Sequence, residues 1–455
     1  MAQQKLTRII AIDDDPTGSQ TVHGCLLLTR WDSDTLQQAL LDDSPLFFVL
    51  SNTRGMDATQ AAAVTREICV NLRRALQSLR EQDIDIQPVI VSRSDSTLRG
   101  HYPVETDVIA EELGPFDAHF LVPAFFEGGR ITRDSVHYLM VDGKPVPVNQ
   151  TEFAQDSVFG FTHAYLPDYV EEKTAGRIKA DQVQRFTLPE MCGDIRSRLQ
   201  ALQNNVCCVV DAEERSDLKH FAKQVLAATA TGKRFLFRSA ASLLTAFAAL
   251  PPQPVAPRAM SSFVRNGRAG VVLVGSHVNK STRQLQHLLE HADVNEVLVD
   301  LDLLVEDEEA LFDSIVQQMN RAQQHNRNVL LYTSRGERQF NTQAKRLAFG
   351  ETVSAFLMRL VRNLPSPTGF LISKGGITSN DTLSTGLELR TARVLGQIRA
   401  GCSVVRCPDD HPRFPGLPVV IFPGNVGGDD ALTQVFDILT DSSADVVRNS
   451  KTAVA

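Results

Sequence analysis

The feature that most constrains this chain is a restart. Short apolar, β-branched runs alternate with longer helical stretches up to about residue 250. They give way to Leu250-Pro251-Pro252-Gln253-Pro254-Val255-Ala256-Pro257, and the alternation then begins again. Such alternation builds largely parallel sheets flanked by helices, and the dense prolines make a stiff, extended connector. The expected architecture is α/β in two domains, residues 1–250 and 263–455, joined by a linker at 251–262. Each domain should carry a largely parallel sheet flanked by helices, with an active-site cleft between them. A length of 455 residues suits this division, since one domain takes roughly 100–200 residues, and a low aromatic share of 6% fits α/β layers filled by aliphatic side chains.

In the first domain the runs at 8–12, 46–50, 88–91 and 119–122 read as strands, and residues 57–80 as a helix. Residues 130–150, with the turn signal Val141-Asp142-Gly143-Lys144, read as a β-hairpin excursion. In the second domain strands are expected at 270–274, 329–332, 369–373 and 418–422, with helices near 281–291 and 341–363; the tail at 449–455 should fray. Most of the strand runs end in polar loops. In an open parallel sheet, ligands bind beyond the carboxyl ends of the strands, so these loops can converge on one site.

The first such loop is Asp13-Asp14-Asp15-Pro16-Thr17-Gly18-Ser19. Adjacent carboxylates at a strand end need a cation, a hydroxyl or water. A kinase uses one carboxylate to orient or deprotonate its acceptor hydroxyl, and Mg²⁺ favours carboxylate oxygen plus water; a solvated acidic turn would look the same. The second feature joins Arg54 to Arg93-Ser94-Asp95-Ser96-Thr97-Leu98-Arg99-Gly100. Guanidinium groups suit a planar carboxylate, and Ser and Thr can read sugar hydroxyls, although Asp95, Ser96 and Thr97 are also good helix starters. Three glycine-bearing loops follow strands in the second domain: Gly275-Ser276-His277, Lys374-Gly375-Gly376-Ile377-Thr378-Ser379 and Pro423-Gly424-Asn425-Val426-Gly427-Gly428-Asp429-Asp430. Glycine lets backbone N–H groups approach phosphate closely, so these loops suit a nucleotide.

A net charge of -8 argues against nucleic acid or an anionic membrane as partner. The seven cysteines are odd in number, without Cys-x-x-Cys, and read as buried small hydrophobes rather than disulfides or zinc ligands. No signal peptide and no apolar run near the roughly 18 residues of a membrane span is visible, so a cytoplasmic protein is expected. No P-loop, Gly-x-Gly-x-x-Gly or Gly-x-Ser-x-Gly motif occurs. His287-Leu288-Leu289-Glu290-His291 has zinc-like spacing but reads as the polar face of an amphipathic helix. His23, His101, His137 and His277 read as structural or surface histidines.

These loops, in this order, resemble the four-carbon acid sugar kinase family over nearly the whole chain. Asp13-Asp14-Asp15-Pro16-Thr17-Gly18 is similar to its Ala-Asp-Asp-Phe-Thr-Gly. Asp95-Ser96-Thr97-Leu98-Arg99-Gly100 is a very specific mark of it. Pro123-Ala124-Phe125, Gly128-Gly129-Arg130 and Thr151-Glu152-Phe153-Ala154 are similar to further family stretches. Gly275-Ser276, Gly375-Gly376-Ile377-Thr378-Ser379 and Gly424-Asn425-Val426-Gly427 resemble its C-terminal marks. Arg93, His277, Ile377, Pro423 and Val22-His23-Gly24 depart from the usual pattern.

The resemblance implies an N-terminal domain that binds a small acidic sugar and a C-terminal domain that binds ATP with Mg²⁺. The sugar is a tetronate, a 3-oxo-tetronate or, for this longer branch, 3-oxo-isoapionate. Asp14 and Asp95 would be catalytic. Asp15, Arg54, Arg93, Ser94, Ser96, Thr97, Arg99 and Gly100 would bind substrate, the arginines clamping its carboxylate. Ser276, Gly375, Gly376, Ile377, Thr378, Gly424, Asn425 and Gly427 would bind nucleotide. A homodimer through the hairpin excursion fits the layout. Two alternatives stay open: a ribokinase-like enzyme with Asp429 or Asp430 as base, and a non-catalytic sugar-acid binding protein.

Overall fold

The computed structural model describes residues 6–335, 341, 343–424 and 426–441, and the chain divides into two compact units, Met1–Pro251 and Pro252–Ala455. The strands of the first unit are β1 Leu6–Asp13, β2 Leu26–Leu28, β3 Leu46–Leu50, β4 Ile86–Arg93, β5 Ala118–Val122, β6 Arg130–Arg133, β7 Val136–Val141, β8 Lys144–Pro147, β9 Gln184–Phe186, β10 Val206–Val210 and β11 Phe235–Ser239. Its main sheet runs β2-β3-β1-β4-β11-β5-β10-β9, every neighbouring pair parallel. A parallel strand covered on both faces reads as a near-continuous apolar run, which is what Leu46-Phe47-Phe48-Val49-Leu50 is. On one face Ile10, Ile12, Phe47 and Ile90 pack against Ile68, Leu72 and Leu79 of the helix Ala58–Glu81. Asp57 and Gln60 start that helix with a reciprocal capping box. Phe120 centres a cluster of rings from Phe186, Phe221, Phe235 and Phe237.

The excursion is a three-stranded antiparallel sheet, β6-β7-β8, rather than a hairpin. Asp134-Ser135 and Asp142-Gly143 both have positive φ at two successive positions, the backbone of tight hairpin turns, so the chain folds back twice. Asp95, Ser96 and Thr97 do not start a helix. Leu98 and Gly100 have φ of 69° and 114°, in the left-handed region that interrupts helical geometry, and the helix waits until Val104–Leu113.

In the second unit the strands are β12 Val271–Val274, β13 Asn295–Val299, β14 Val329–Thr333, β15 Leu371–Lys374, β16 Thr391–Arg399, β17 Cys402–Arg406 and β18 Pro418–Phe422. The order β13-β14-β12-β15-β18 is parallel, and β17 and β16 then continue antiparallel. The β16–β17 hairpin escapes the strand expectations because β16 alternates half-buried and buried residues instead of forming an apolar run. Among the described residues no helix is long and apolar enough to cross a membrane.

Candidate active site

The carboxyl ends of β1, β3 and β4 meet in one charged network. Asp13 ends β1 fully buried, with Oδ1 accepting from Arg93 Nη1 at 3.1 Å. Asp14 is also buried and is held by both arms of Arg54, Nη2 to Oδ1 at 2.5 Å and Nε to Oδ2 at 3.1 Å; Arg93 Nη1 stands 3.6 Å away. Asp15 accepts from Thr17 N and Oγ1 and lies 3.2 Å from Arg54 Nη1. Burial pushes the Asp13 carboxyl up to about 7 against the pull of Arg93. Burial also raises Asp14, with Glu105 adding to it and Arg54 opposing. For Asp15 burial acts upward too, but Arg54, Arg93 and the Thr17 hydrogen bonds outweigh it, and the carboxyl lies below its usual range. Gly18 covers Asp13 so closely that a Cβ there would come within 1.9 Å of Asp13 Oδ2.

The 94–100 loop closes the other side. Asp95 Oδ2 accepts from Thr97 N at 3.2 Å, from Arg99 Nε at 2.9 Å and from the Thr97 hydroxyl, while Oδ1 is 3.9 Å from Arg54 Nη1. Burial would lift this carboxyl, yet Arg54 and Arg99 hold it well below the usual range. Arg99 stacks over the Phe153 ring at 4.9 Å, which gives the 151–154 stretch a place beside the site. Ser94 N donates to Ser239 O at 2.9 Å. The Ser96 carbonyl accepts from His137 Nε2 at 2.8 Å, and His137 Nδ1 faces Thr132 Oγ1 at 2.9 Å. A Cβ on Gly100 would lie 2.9 Å from Arg238 Nη2 and 3.1 Å from Asp14 Oδ2.

The structure thus gathers Asp14, Asp15, Arg54, Arg93, Ser94, Asp95, Thr97, Arg99 and Gly100 on one edge, with Ser96 contributing its carbonyl as an anchor. It also shows that Arg54, Arg93 and Arg99 are each engaged with aspartates of the chain. Three residues of this edge carry no local motif. Arg238, near the end of β11, donates from Nη1 to Glu105 Oε2 at 3.0 Å, and Thr53 Oγ1 donates to Glu105 Oε1 at 2.5 Å. The sequence shows Arg238 only as a lone charge directly after the apolar run Phe235-Leu236-Phe237, where a paired partner makes burial tolerable, and does not say which partner that is.

In the second unit the three glycine loops converge at the carboxyl ends of β12, β15 and β18. A Cβ on Gly275 would lie 2.6 Å from Thr378 Oγ1, and one on Gly375 (φ 125°) 3.0 Å from both Ser276 Cβ and Thr378 Oγ1. Ser281 Oγ lies 3.1 Å from Ser276 Oγ and 3.0 Å from Gly424 O. Gln284 Nε2 donates to Val426 O and Gly428 O, and Arg335 donates to Ser276 O and Val274 O. Gly427 has φ 82° and leads toward the helix Ala431–Thr440. Gly376 opens the short helix Gly376–Asp381, and Ile377 is 69% exposed. Asn425 lies outside the described residues. Below these loops Lys374 is fully buried, donating to Pro423 O at 2.6 Å and Gly424 O at 3.1 Å; burial brings its amine down to about 7.

The remaining candidates are accounted for locally. Asp429 pairs with Arg283 on the surface, and Asp430 contacts Gln434 on the following helix turn. His287 bonds Thr433 Oγ1 and stacks on His291. His23 faces Pro251 O, and His101 faces Thr53 O and Met56 O; His277 is exposed. Among the described residues no group of three His, Cys, Asp or Glu could hold a metal ion, so the donor set does not form a protein cage for Mg²⁺.

Comparison with known proteins gives the two units different matches. Residues 9–247 match a family model described as a sugar-binding N-terminal domain, and residues 271–432 one described as a nucleotide-binding C-terminal domain. A D-erythronate kinase of Heliobacterium modesticaldum is 31% identical over 154 residues, a third of each chain. Solved structures from Haemophilus influenzae (16% identity, TM-score 0.63, covering 94% of this chain and all of that one) and Salmonella typhimurium (18%, TM-score 0.68, covering 94% and 98%) share the fold. With the two matches in this order, the first alone spanning more than half of the sequence, the chain belongs to the four-carbon acid sugar kinase family.

Proposed function

We propose that this protein is an ATP-dependent kinase that phosphorylates a hydroxyl of a short acidic sugar, a tetronate, a 3-oxo-tetronate or 3-oxo-isoapionate, in carbohydrate catabolism in the cytoplasm. The observation that carries this reading is the pairing of Asp14 and Asp95 around Arg54 on one strand edge, with opposite tuning. Carboxylates whose environments push them apart divide acid–base work. Asp14, raised by burial, is suited to accept a proton. Asp95, kept anionic by its arginines, is suited to orient the hydroxyl that loses it. The acceptor oxygen attacks the γ-phosphorus of ATP, its proton passes to Asp14, the β,γ-bridging P–O bond breaks and ADP leaves. Arg54 fixes Asp14 in place and, with Arg93, supplies positive charge at the edge.

On the second unit, backbone N–H groups of the loops at Gly275, Gly375 and Gly427 are suited to cradle phosphates. Magnesium would be carried on the nucleotide's own phosphates. The D-erythronate kinase relative supports the substrate class. The ribokinase-like alternative draws less support, because Asp429 is about half exposed and paired with Arg283.

The test is ADP release with Mg-ATP over a panel of four- and five-carbon sugar acids, including D-erythronate, 3-oxo-tetronates and 3-oxo-isoapionate. Turnover of one acid, abolished by Asp14→Asn, is expected. Folded protein that releases no ADP with any acid and binds no ATP would overturn the reading in favour of a sugar-acid binding protein.

A further inference from the structure

Among the described residues, two buried polar atoms at the end of β11 have no hydrogen-bond partner: Arg238 Nη2 and Ser239 Oγ. Both residues are nearly inaccessible, 6% and 1% exposed, and an orphaned buried donor is costly. They line one small cleft together with Ser94, Asp95, Pro123 and Tyr169. The cleft has a volume of about 10 Å³, which is room for roughly one oxygen atom. Gly100 faces Arg238 Nη2, and any side chain there would cover it.

Counting donors and acceptors narrows the occupant. Arg238 is held rigidly by Nη1, which donates to Glu105 Oε2 and Ser92 Oγ, so Nη2 can only donate outward. Its positive charge is already matched by Glu105. Asp95 Oδ2 takes three donors, whereas the contact to Oδ1 is Arg54 at 3.9 Å, which leaves Oδ1 able to accept. A carboxylate would bring negative charge against Asp95 with nothing to donate. A hydroxyl accepts from Arg238 and donates to Asp95, and fits the space.

We propose that Arg238, Ser239 and Asp95 form a notch that takes one hydroxyl oxygen of the substrate, so that this edge selects polyhydroxy acids over their deoxy counterparts. The notch rests on the sugar-acid reading for the identity of its ligand. It assigns Arg238 and Ser239, which no short motif marks, a role in specificity rather than in the chemical step.

The experiment compares kcat/KM for D-erythronate with its 2-deoxy and 3-deoxy analogues, in the wild type and in Ser239→Ala, a change that leaves the Arg238–Glu105 pair intact. Arg238→Lys is the second variant. The wild type should disfavour one of the two analogues by roughly 10- to 100-fold, the range for leaving buried donors unpaired. Ser239→Ala and Arg238→Lys should shrink that ratio, chiefly by lowering turnover of the hydroxylated acid. An unchanged ratio in both folded variants would overturn the notch and leave a structural water as its occupant, with the kinase reading intact. If the wild type turns over none of these acids, the kinase reading fails for them and calorimetric binding of the same compounds decides. Preferential binding of D-erythronate that Ser239→Ala removes supports the notch; equal binding of D-erythronate and its two deoxy analogues, or none, overturns it.

Discussion

At the carboxyl edge of the first unit the chemistry is held by side chains: Asp13, Asp14, Arg54 and Arg93 are locked into one buried network of opposite charges. At the equivalent edge of the second unit it is held by backbone. Gly275, Gly375 and Gly427 shape the loops, and two charges beside them, Lys374 and Arg335, are each bound to two backbone carbonyls. The first edge can therefore discriminate a small ligand by functional group, because each side chain has a fixed donor or acceptor face. The second can hold any anion of the right shape, because N–H groups in a turn read charge and curvature. A sugar acid and a nucleotide make those two different demands.

The largest effect that would break this contrast is at Asp14. Asp14→Asn keeps the shape and removes the proposed proton acceptor, so kcat should fall by about 10²–10⁴-fold, with ATP affinity nearly unchanged by calorimetry. Equal loss of both would show that the two edges do not divide the work. Next comes Gly375→Ala. Its φ of 125° disfavours any side chain, and the new Cβ would press on Ser276 and Thr378. Nucleotide affinity should drop by about tenfold or more while sugar-acid binding holds, and a variant that binds ATP normally would remove the loop from the phosphate site.

Two pH effects sharpen the comparison at smaller amplitude. Lys374 titrates near 7 because it is buried, so it is charged below that pH and increasingly neutral above it. Nucleotide affinity should fall as pH rises from about 7 to 9, and Lys374→Met should flatten the curve. Its folded value lies below the ordinary 10.5 of a lysine, so the same group makes the fold more stable as pH climbs from about 7 toward that ordinary value. Asp13 runs the other way. Its carboxyl binds a proton more tightly folded than unfolded, with a folded value of about 7, so its contribution is full below the unfolded range and is lost as pH rises through about 7. Thermal unfolding of Asp13→Asn should lose the decline in stability that the wild type shows between about pH 4 and 7.

Much of this was legible before the structure, and the reason is locality. Asp14, Asp15, Arg54, Arg99 and the three glycine loops sit directly after apolar runs, and a parallel sheet delivers such positions to one edge whatever the strand order. Arg238 was not legible because its meaning depends on order. β11 is inserted between β4 and β5, and only that places it against Glu105, 133 residues away in sequence. Lys374 ends an ordinary strand, and nothing local says that its amine turns inward onto Pro423 and Gly424. The spacing of the arginines suggests a clamp for substrate carboxylate, but it does not show that Arg54, Arg93 and Arg99 also fix the chain's own aspartates, a contact that follows because the adjacent buried carboxylates Asp13 and Asp14 need nearby positive charge.

The hold of His137 on the Ser96 carbonyl, across 41 residues, bears on how this fold can be recombined. The Asp95–Gly100 loop is not a self-contained cassette, since one of its fastenings is kept in the three-stranded sheet downstream. A chimera whose crossover falls between residues 100 and 130 would join the loop to a foreign fastening, and exchange between relatives should carry residues 94–150 as one block.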